Sequence, residues 1–375
     1  MKCHIVPQVY LKKWEIVGEP NHIYAFNSDS LKDVGQKKEI EDICFLPDEY
    51  IFSPYNVVES NKFSDEYNKI FGFLIDDYIC TYNGKEIEDT YQYALLFNKI
   101  FDWKIVKSSQ AVSNLEIKNR ILANWDKCFS MIFEIYINTS IENKWNGFLI
   151  SINNYVTKKK GAISKTKSKY LMEVVATQIL RIRSNYKDLQ EFNKLDDKIR
   201  IVKEVLGVNE LVNMDEYYSK DDIVKQLWFY TLYDYSKKRN NFITRYYKYL
   251  LNRTICILYS KVNCFITSDN PCFFNSNNDS RDFASGIFYP ITPKICLFLA
   301  GNQSTKKIVK IHITDKISKF INHLIVCNSD NIVLVYEDKI VDKIIESSSI
   351  NYKDIKEEWD RLFFEKGLVI NRSNS

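Results

Sequence analysis

The sequence predicts an α+β fold, with a helical middle region flanked by N-terminal and C-terminal β-rich segments that could share one sheet. In residues 58–250, apolar side chains recur three and four positions apart, which is the spacing of one buried helix face. The same stretch contains no proline, the residue that most strongly interrupts helices. On either side of it, short apolar runs alternate with turn residues, a pattern typical of strands.

These patterns divide the chain into four regions, which we expect to pack as one intimate unit. They are an N-terminal arm and β-rich segment (1–57), a helical region (58–250), a β-rich segment with a Ser-Asp-Asn-Pro turn (251–345), and a C-terminal helix and tail (346–375). Helices are predicted over 67–78, 115–137, 171–186, 221–235 and 353–364, with a shorter helical pattern over 317–325. Strands are predicted over 22–26, 43–47, 49–52, 254–259, 264–267, 295–299, 307–313 and 331–336.

The amino-acid composition excludes some classes of protein. With 375 residues, of which 45% are hydrophobic and 14% aromatic, the chain can bury a large core and is not a disordered protein. Its 52 Lys and Arg against 48 acids leave a formal net charge of +4, so bulk charge does not indicate nucleic-acid binding. A local basic face is still compatible with this balance.

Cysteine usage and hydropathy predict a cytoplasmic protein. The nine cysteines are scattered, with no C-x-x-C pair and no histidine at zinc-ligand spacing, which indicates reduced thiols. The N-terminus lacks the apolar stretch of a signal peptide, and no run of about 18 apolar residues predicts a membrane span. The sequence also lacks a Walker or dinucleotide phosphate loop, an H-E-x-x-H motif and a G-x-S-x-G motif.

Histidine is scarce in this chain, and one of the four lies in an N-terminal arm reading HIVPQVYLKKW. His4 precedes Pro7 in this arm and could present an imidazole for proton transfer near neutral pH. Equally, it could pack or form hydrogen bonds locally.

A predicted central helix carries Gln178 and Arg181 three positions apart, hence on one face. Beside an apolar stripe, an amide and a guanidinium could bind a phosphate or carboxylate, because the guanidinium matches both in a bidentate geometry. The alternative is an arginine that extends to solvent or pairs with an acid of the core.

The run CFITSDNPCFF, residues 264–274, interrupts two apolar flanks with a polar cluster. Ser268 and Asp269 could satisfy backbone N–H groups in a turn, and Pro271 forces Asn270 out of helical geometry. That is a complete structural explanation. A carboxylate at the end of a buried strand is also a common position for a general base or a metal ligand, so Asp269 is the candidate for either role.

A lysine-rich segment, Lys158 to Lys169, carries six lysines. It could contact a phosphate backbone, which gives salt-dependent affinity that does not depend on sequence. Its other interpretation is a solvated loop.

Several of these elements together resemble the family called domain of unknown function 4238, from residue 4 to about 336. Members begin with a His-x-Val-Pro-x-x-Tyr-Leu arm, and later show a Gln-x-x-Arg helix, a Thr-Ser-Asp-x-Pro turn, a Tyr-Pro element and an asparagine on a following helix. The matching positions are His4, Val6, Pro7, Gln8, Tyr10, Leu11, Gln178, Arg181, Thr267, Ser268, Asp269, Pro271, Tyr289, Pro290, Thr292, Pro293 and Asn322. The chain departs from the family at Ile182-Arg183-Ser184, where Arg-Thr-Pro is expected. The resemblance implies that these polar groups converge on one pocket, and it implies no particular reaction.

Two functions follow as hypotheses. The first is a hydrolase of nucleic-acid phosphodiesters or nucleotides, suited to a bacterial toxin or phage-defence effector, with His4, Asp269 and Arg181 as catalytic residues. A divalent metal such as Mg²⁺, if used, would bind Asp269. The second is a binding or sensor module without chemistry, which recognises nucleic acid, a phage component or a partner protein. Five further side chains are predicted to contact the substrate: Gln8, Gln178, Ser268, Asn270 and Asn322.

Overall fold

A computed structural model describes most of the two ends of the chain and parts of its middle. The described residues are 2–4, 6–47, 64–107, 114–125, 128, 142–158, 163–181, 253–275, 282–302, 308–341, 351–366 and 368. The predicted strand over 49–52 and the predicted helix over 221–235 lie outside these residues.

The described chain contains both helices and strands, partly grouped in runs of one kind, in an α+β arrangement as the sequence predicts. The α-helices are α1 (Gln8–Leu11), α2 (Ser64–Asp77), α3 (Thr90–Leu95), α4 (Asn114–Trp125), α5 (Asn143–Thr157), α6 (Lys165–Arg181), α7 (Asp315–Cys327) and α8 (Tyr352–Phe364). The strands are β1 (Lys2–His4), β2 (His22–Asn27), β3 (Gln36–Glu39), β4 (Phe45–Pro47), β5 (Tyr78–Tyr82), β6 (Lys85–Glu86), β7 (Lys104–Lys107), β8 (Arg253–Tyr259), β9 (Thr267–Ser268), β10 (Phe273–Asn275), β11 (Gly286–Thr292), β12 (Ile295–Asn302), β13 (Ile308–His312) and β14 (Ile332–Val335). None of the described helices is long and apolar enough to span a membrane.

The chain forms two compact units, each assembled from separate stretches of sequence. The first combines Met1–Pro47, Thr139–Asn185 and Arg245–Ser375, and the second combines Asp48–Asn138 and Tyr186–Thr244. All the candidate site residues named above belong to the first unit.

A five-stranded sheet forms the core of the first unit, in the order β10-β11-β12-β8-β13. Neighbouring strands are antiparallel except β13, which runs parallel to β8. The central strands read as almost continuous apolar runs because both of their faces are buried. Trp359 of α8 covers one face, with its ring 5.2 Å from Phe298 and 6.2 Å from Phe320 of α7.

A second sheet of this unit joins the two ends of the chain, in the order β3-β2-β14-β9. In it, β14 pairs antiparallel with β2 on one side and with β9 on the other. The prediction that the N-terminal and C-terminal β-rich segments share a sheet is therefore confirmed. Because β9 is the strand that leads into the Ser-Asp-Asn-Pro turn, this sheet also sets the position of that turn.

The second unit corrects the prediction of a purely helical middle region. Residues 78–107 contribute a three-stranded antiparallel sheet, in the order β6-β5-β7, beside helices α2, α3 and α4. Strands β5 and β6 are joined through Asn83 and Gly84, which both have positive φ, at 50° and 78°. An Asn-Gly pair is the strongest short-range hairpin signal, because both residues tolerate positive φ. In residues 78–107 this local hairpin signal outweighs the helical spacing of the surrounding sequence.

Candidate functional site

The Thr267–Pro271 turn lies where β9 leaves the second sheet, and its own residues shape it. Ser268 is fully buried, and its hydroxyl oxygen accepts a hydrogen bond from the backbone N–H of Asn270 at 3.2 Å. The bond closes the serine turn that the sequence predicts.

Asp269 directs its carboxylate into the backbone of a distant segment. Its Oδ1 accepts a hydrogen bond from the N–H of Asp330 at 3.0 Å, and its Oδ2 accepts from Asn331 at 2.8 Å and Ile332 at 3.1 Å. Its own N–H donates to the carbonyl of Ile332 at 3.1 Å. The side chain is only 5% exposed. Asp269 therefore fixes the backbone of residues 330–332, where the chain enters β14.

The protonation equilibrium of Asp269 reflects two opposing effects. Burial raises the pKa of this carboxyl, while hydrogen bonds from the backbone N–H groups of Asn331, Asp330 and Ile332 lower it, and the net shift is upward. The buried environment disfavours the charge, and the three donors offset part of that cost. This geometry favours a structural role, since both carboxylate oxygens are bound by the protein itself.

The two candidate asparagines also bind backbone groups. Asn270 donates from Nδ2 to the carbonyl of Asn328 at 2.8 Å, just beyond the C-terminal end of α7. Asn322, on α7, donates from Nδ2 to the carbonyl of Cys264 at 2.7 Å and accepts at Oδ1 from the N–H of Ile266 at 3.2 Å. Both side chains are almost fully buried. We call Ser268, Asp269, Asn270 and Asn322 the turn network; it joins the turn to α7 and to the start of β14.

The N-terminal arm packs against the same turn through Tyr10. Its hydroxyl donates to the carbonyl of Pro290 at 2.5 Å and lies 2.5 Å from the hydroxyl oxygen of Thr267. The ring is 1% exposed and stacks on Tyr289, with 5.4 Å between ring centroids. The arm, the Thr-Ser-Asp turn and the Tyr-Pro element therefore meet around one buried phenol, whose pKa is raised by that burial.

The backbone of His4 lies near the turn network. It is the last residue of β1 and pairs with Phe45 of β4, directly after Cys44. Burial raises the pKa of the Cys44 thiol, and the neighbouring Asp269 carboxylate raises it further. The His4 side chain lies outside the described part of the structure, so its role as a proton donor stays a prediction.

The other candidates are divided between the arm and α6. Gln8 begins α1 and is half-buried. Gln178 lies near the end of α6 and is 3% exposed. Arg181 is the last residue of α6, and its side chain lies outside the described residues. The convergence of Gln178 and Arg181 with Asp269 therefore also stays a prediction.

The described residues give no support for a metal ion on Asp269. Among them, one set of three His, Cys, Asp or Glu side chains lies close enough to share an ion, and it consists of the exposed Glu39, Glu41 and Asp42. A small pocket beside the turn network is lined by Asn322 together with Cys264, Ser318 and Lys319. Of the predicted site residues whose side chains the structure describes, Asn322 alone borders that pocket.

Sequence reasoning missed the residues that complete the turn network. The acceptor role of Asp269 was expected, but its partners Asp330, Asn331 and Ile332 are 61 to 63 positions away and bind through backbone N–H groups. A backbone donor leaves no signal in the sequence. Tyr10 was visible as part of the arm, and a tyrosine in an apolar run usually needs a partner for its hydroxyl.

Comparison with known proteins agrees with this arrangement of sequence elements. Searches of curated proteins and of solved structures give no match. A protein-family model matches residues 2–339, which includes the arm, the turn, the Tyr-Pro element and Asn322. The chain therefore belongs to the family described as "Protein of unknown function (DUF4238)".

Proposed function

We propose that this protein is a nucleic-acid-binding module whose contact surface is the lysine-rich segment Lys158–Lys169, and whose turn network serves the fold. The observation that carries the proposal is the concentration of positive charge around this segment. Residues 142–181 contain eight Lys or Arg and two Glu, a net charge of +6, whereas the whole chain carries +4. The remainder of the chain is thus slightly acidic, so the basic character belongs to one local region.

Exposure of the lysines suits contact with phosphates. Lys158 follows the end of α5, and Lys167 and Lys169 lie in the first turns of α6; all three are exposed. Lysine ammonium groups neutralise phosphates as point charges without reading the sequence of the bases. This supports binding that is strong at low salt and indifferent to sequence.

Lys310 of the neighbouring strand β13 offsets negative charge next to this surface. The last turn of a helix carries partial negative charge on its free carbonyls, which would repel phosphate. The ammonium of Lys310 donates to the carbonyls of Tyr155, Val156 and Lys158 at the end of α5, at 2.9, 3.2 and 2.6 Å. Lys310 therefore offsets the negative helix end and fixes the point from which the lysine-rich segment departs.

Removing the three exposed lysines is expected to weaken nucleic-acid binding and its dependence on salt. In the Lys158→Gln, Lys167→Gln, Lys169→Gln triple variant, affinity for a fluorescent single-stranded oligonucleotide should fall about tenfold or more at low salt. The slope of log K against log salt should become shallower by up to about 2, since each lost phosphate contact removes about 0.7. Fluorescence anisotropy over a series of salt concentrations measures both quantities.

A matched control separates local charge from net charge. Lys316, Lys353 and Lys366 are exposed on or beside α7 and α8, and their triple change to Gln alters the net charge equally. The control should bind like the wild type. Equal loss in both triple variants, or no binding by the wild type, would contradict the proposal.

A hydrolase acting on phosphodiesters or nucleotides is the second candidate, and the raised pKa of Asp269 favours it. A buried carboxyl with a raised pKa is a known property of general acids and bases. In this proposal His4 would transfer protons and Arg181 would stabilise developing anionic charge.

A cleavage assay decides between the two candidates. Wild type and Asp269→Asn would be incubated with tRNA, total RNA, single-stranded DNA and duplex DNA, each with Mg²⁺, Mn²⁺ or EDTA. We expect every substrate to remain intact on denaturing gels, because Asp269 is bound by backbone N–H groups. Cleavage by the wild type that the Asp269→Asn variant lacks would instead establish the hydrolase.

A further inference from the structure

A cluster of three polar side chains lies at the junction of α7 and α8, apart from the turn network. Nε2 of His323 is 3.5 Å from Sγ of Cys327 and 3.3 Å from the hydroxyl oxygen of Tyr352. His323 and Cys327 are four positions apart on α7, so they lie on one helix face, and Tyr352 begins α8. Cys327 is exposed, and His323 and Tyr352 are half-buried. Solvent therefore reaches the thiol.

We propose that Cys327, His323 and Tyr352 form a binding site for a thiophilic divalent transition metal of the zinc class. Zinc binds thiolate sulfur at about 2.3 Å and imidazole nitrogen at about 2.0–2.1 Å in a tetrahedron, which places the two ligand atoms about 3.5 Å apart. An oxygen ligand at about 2.0 Å lies about 3.3 Å from that nitrogen. Both distances measured from Nε2 of His323 match these separations.

The position of the thiol favours a bound cation over a reactive thiolate. A cysteine beside a histidine could also be an activated nucleophile, because a nearby imidazolium lowers a thiol pKa. Cys327 is, however, the last residue of α7, where the helix dipole is negative. That field disfavours an uncompensated thiolate and favours a positive ion, so the helix end supports the metal and opposes the nucleophile.

Metal binding changes the protonation of the ligands in a defined way. Cys327 binds as a thiolate, and its thiol proton passes to solvent. His323 binds as a neutral imidazole through Nε2, so its proton resides on Nδ1. Tyr352 binds as a neutral phenol through a lone pair of its hydroxyl oxygen and keeps its proton. A tetrahedral ion keeps its fourth position for water or for a ligand from a partner.

A metal bound at this site would link α8 to α7, because its ligands come from both helices. Tyr352 already packs edge-on against Phe320 of α7, with 6.3 Å between ring centroids, and Trp359 of α8 packs against the same phenylalanine. A metal bridging the two helices adds a bond at the start of α8, and binding to the folded state alone stabilises the chain by an amount that grows with the logarithm of free metal concentration once that exceeds the dissociation constant. Zinc should therefore raise the melting temperature of the full chain.

Cobalt(II) titration of the full-length, reduced protein tests the site. Tetrahedral cobalt with a thiolate ligand absorbs in the visible and near ultraviolet, and zinc displaces it. We expect these bands in the wild type, their loss on addition of zinc, and an increase in melting temperature with zinc. In Cys327→Ser and His323→Gln, the dissociation constant should rise by about tenfold or more, since even changes around a ligand cost 10–100-fold. Tyr352→Phe should weaken binding severalfold.

Two variants serve as matched controls on the same chain. His312→Gln removes an exposed imidazole that packs on Tyr259, and Cys264→Ser removes a half-exposed thiol whose pKa burial raises to about 11. Both should bind cobalt like the wild type. The absence of cobalt bands in the wild type, or undiminished binding in Cys327→Ser, would overturn the site. Unchanged affinity in Tyr352→Phe would overturn the third ligand.

Discussion

Replacing Asp269 with alanine is expected to lower the free energy of unfolding by about 2–4 kcal/mol. The change leaves the N–H groups of Asp330, Asn331 and Ile332 without their acceptor. Hydrogen bonds to a charged group contribute about 1.5–3 kcal/mol each, but the burial that raises the pKa of Asp269 offsets part of this gain. Urea unfolding followed by tryptophan fluorescence measures the loss.

The Asp269→Asn variant is expected to lose less, about 1–2 kcal/mol. Its single amide oxygen can still accept from Asn331 and Ile332, while its NH₂ group faces the N–H of Asp330. The neutral amide also avoids the cost of burying a charge. As a control, Asp33→Asn alters an exposed carboxylate and should leave stability within about 0.5 kcal/mol of wild type. Wild-type stability in Asp269→Ala would refute the structural role of the carboxylate.

Local pattern was sufficient to predict five of the eight described α-helices and about half of the described strands. The predicted strand 254–259 and helix 353–364 agree with β8 and α8 to within one residue at each end. Strand β8 is one unbroken buried run, and α8 has apolar residues spaced three and four positions apart together with an asparagine cap that accepts from the N–H of Lys353. The sequence pattern does not distinguish the sheet of residues 78–107 from helix, because apolar residues that alternate over only a few positions also fit a helix face. The contrary signal is confined to the Asn83-Gly84 pair of the hairpin turn.

The candidate site was predictable only as far as chemistry local to the turn. Serine, aspartate and asparagine before a proline predict backbone capping, and Ser268 caps Asn270 as expected. The partner segment of Asp269 is set by the register in which β14 pairs with β9. The local pattern of a single sequence does not predict such a long-range register. The expectation that no histidine lies at zinc-ligand spacing overlooks one pair, because His323 and Cys327 are four positions apart and share a helix face. The contribution of Tyr352 depends on how α8 packs on α7.

The contact of Tyr10 between the N-terminal arm and the turn is expected to contribute strongly to the free energy of unfolding. Tyr10→Ala should lower the free energy of unfolding by about 3–5 kcal/mol, because it removes a fully buried ring stacked on Tyr289 and leaves a cavity. Tyr10→Phe keeps the ring and deprives Thr267 and the carbonyl of Pro290 of their partner, at a cost of about 1–3 kcal/mol.

A double-mutant cycle measures whether the arm and the turn are coupled through that hydroxyl. Tyr10→Phe, Thr267→Val and the double variant would be unfolded in urea, and the coupling energy should be about 0.5–3 kcal/mol. Tyr10→Phe combined with the distant Asp33→Asn serves as the control and should be additive within about 0.5 kcal/mol. Additivity of Tyr10→Phe with Thr267→Val would mean that the two hydroxyls contribute nothing to each other. Coupling of the expected size would establish that the N-terminal arm stabilises the same turn that Asp269 joins to β14, so that these elements of the family act as one structural element.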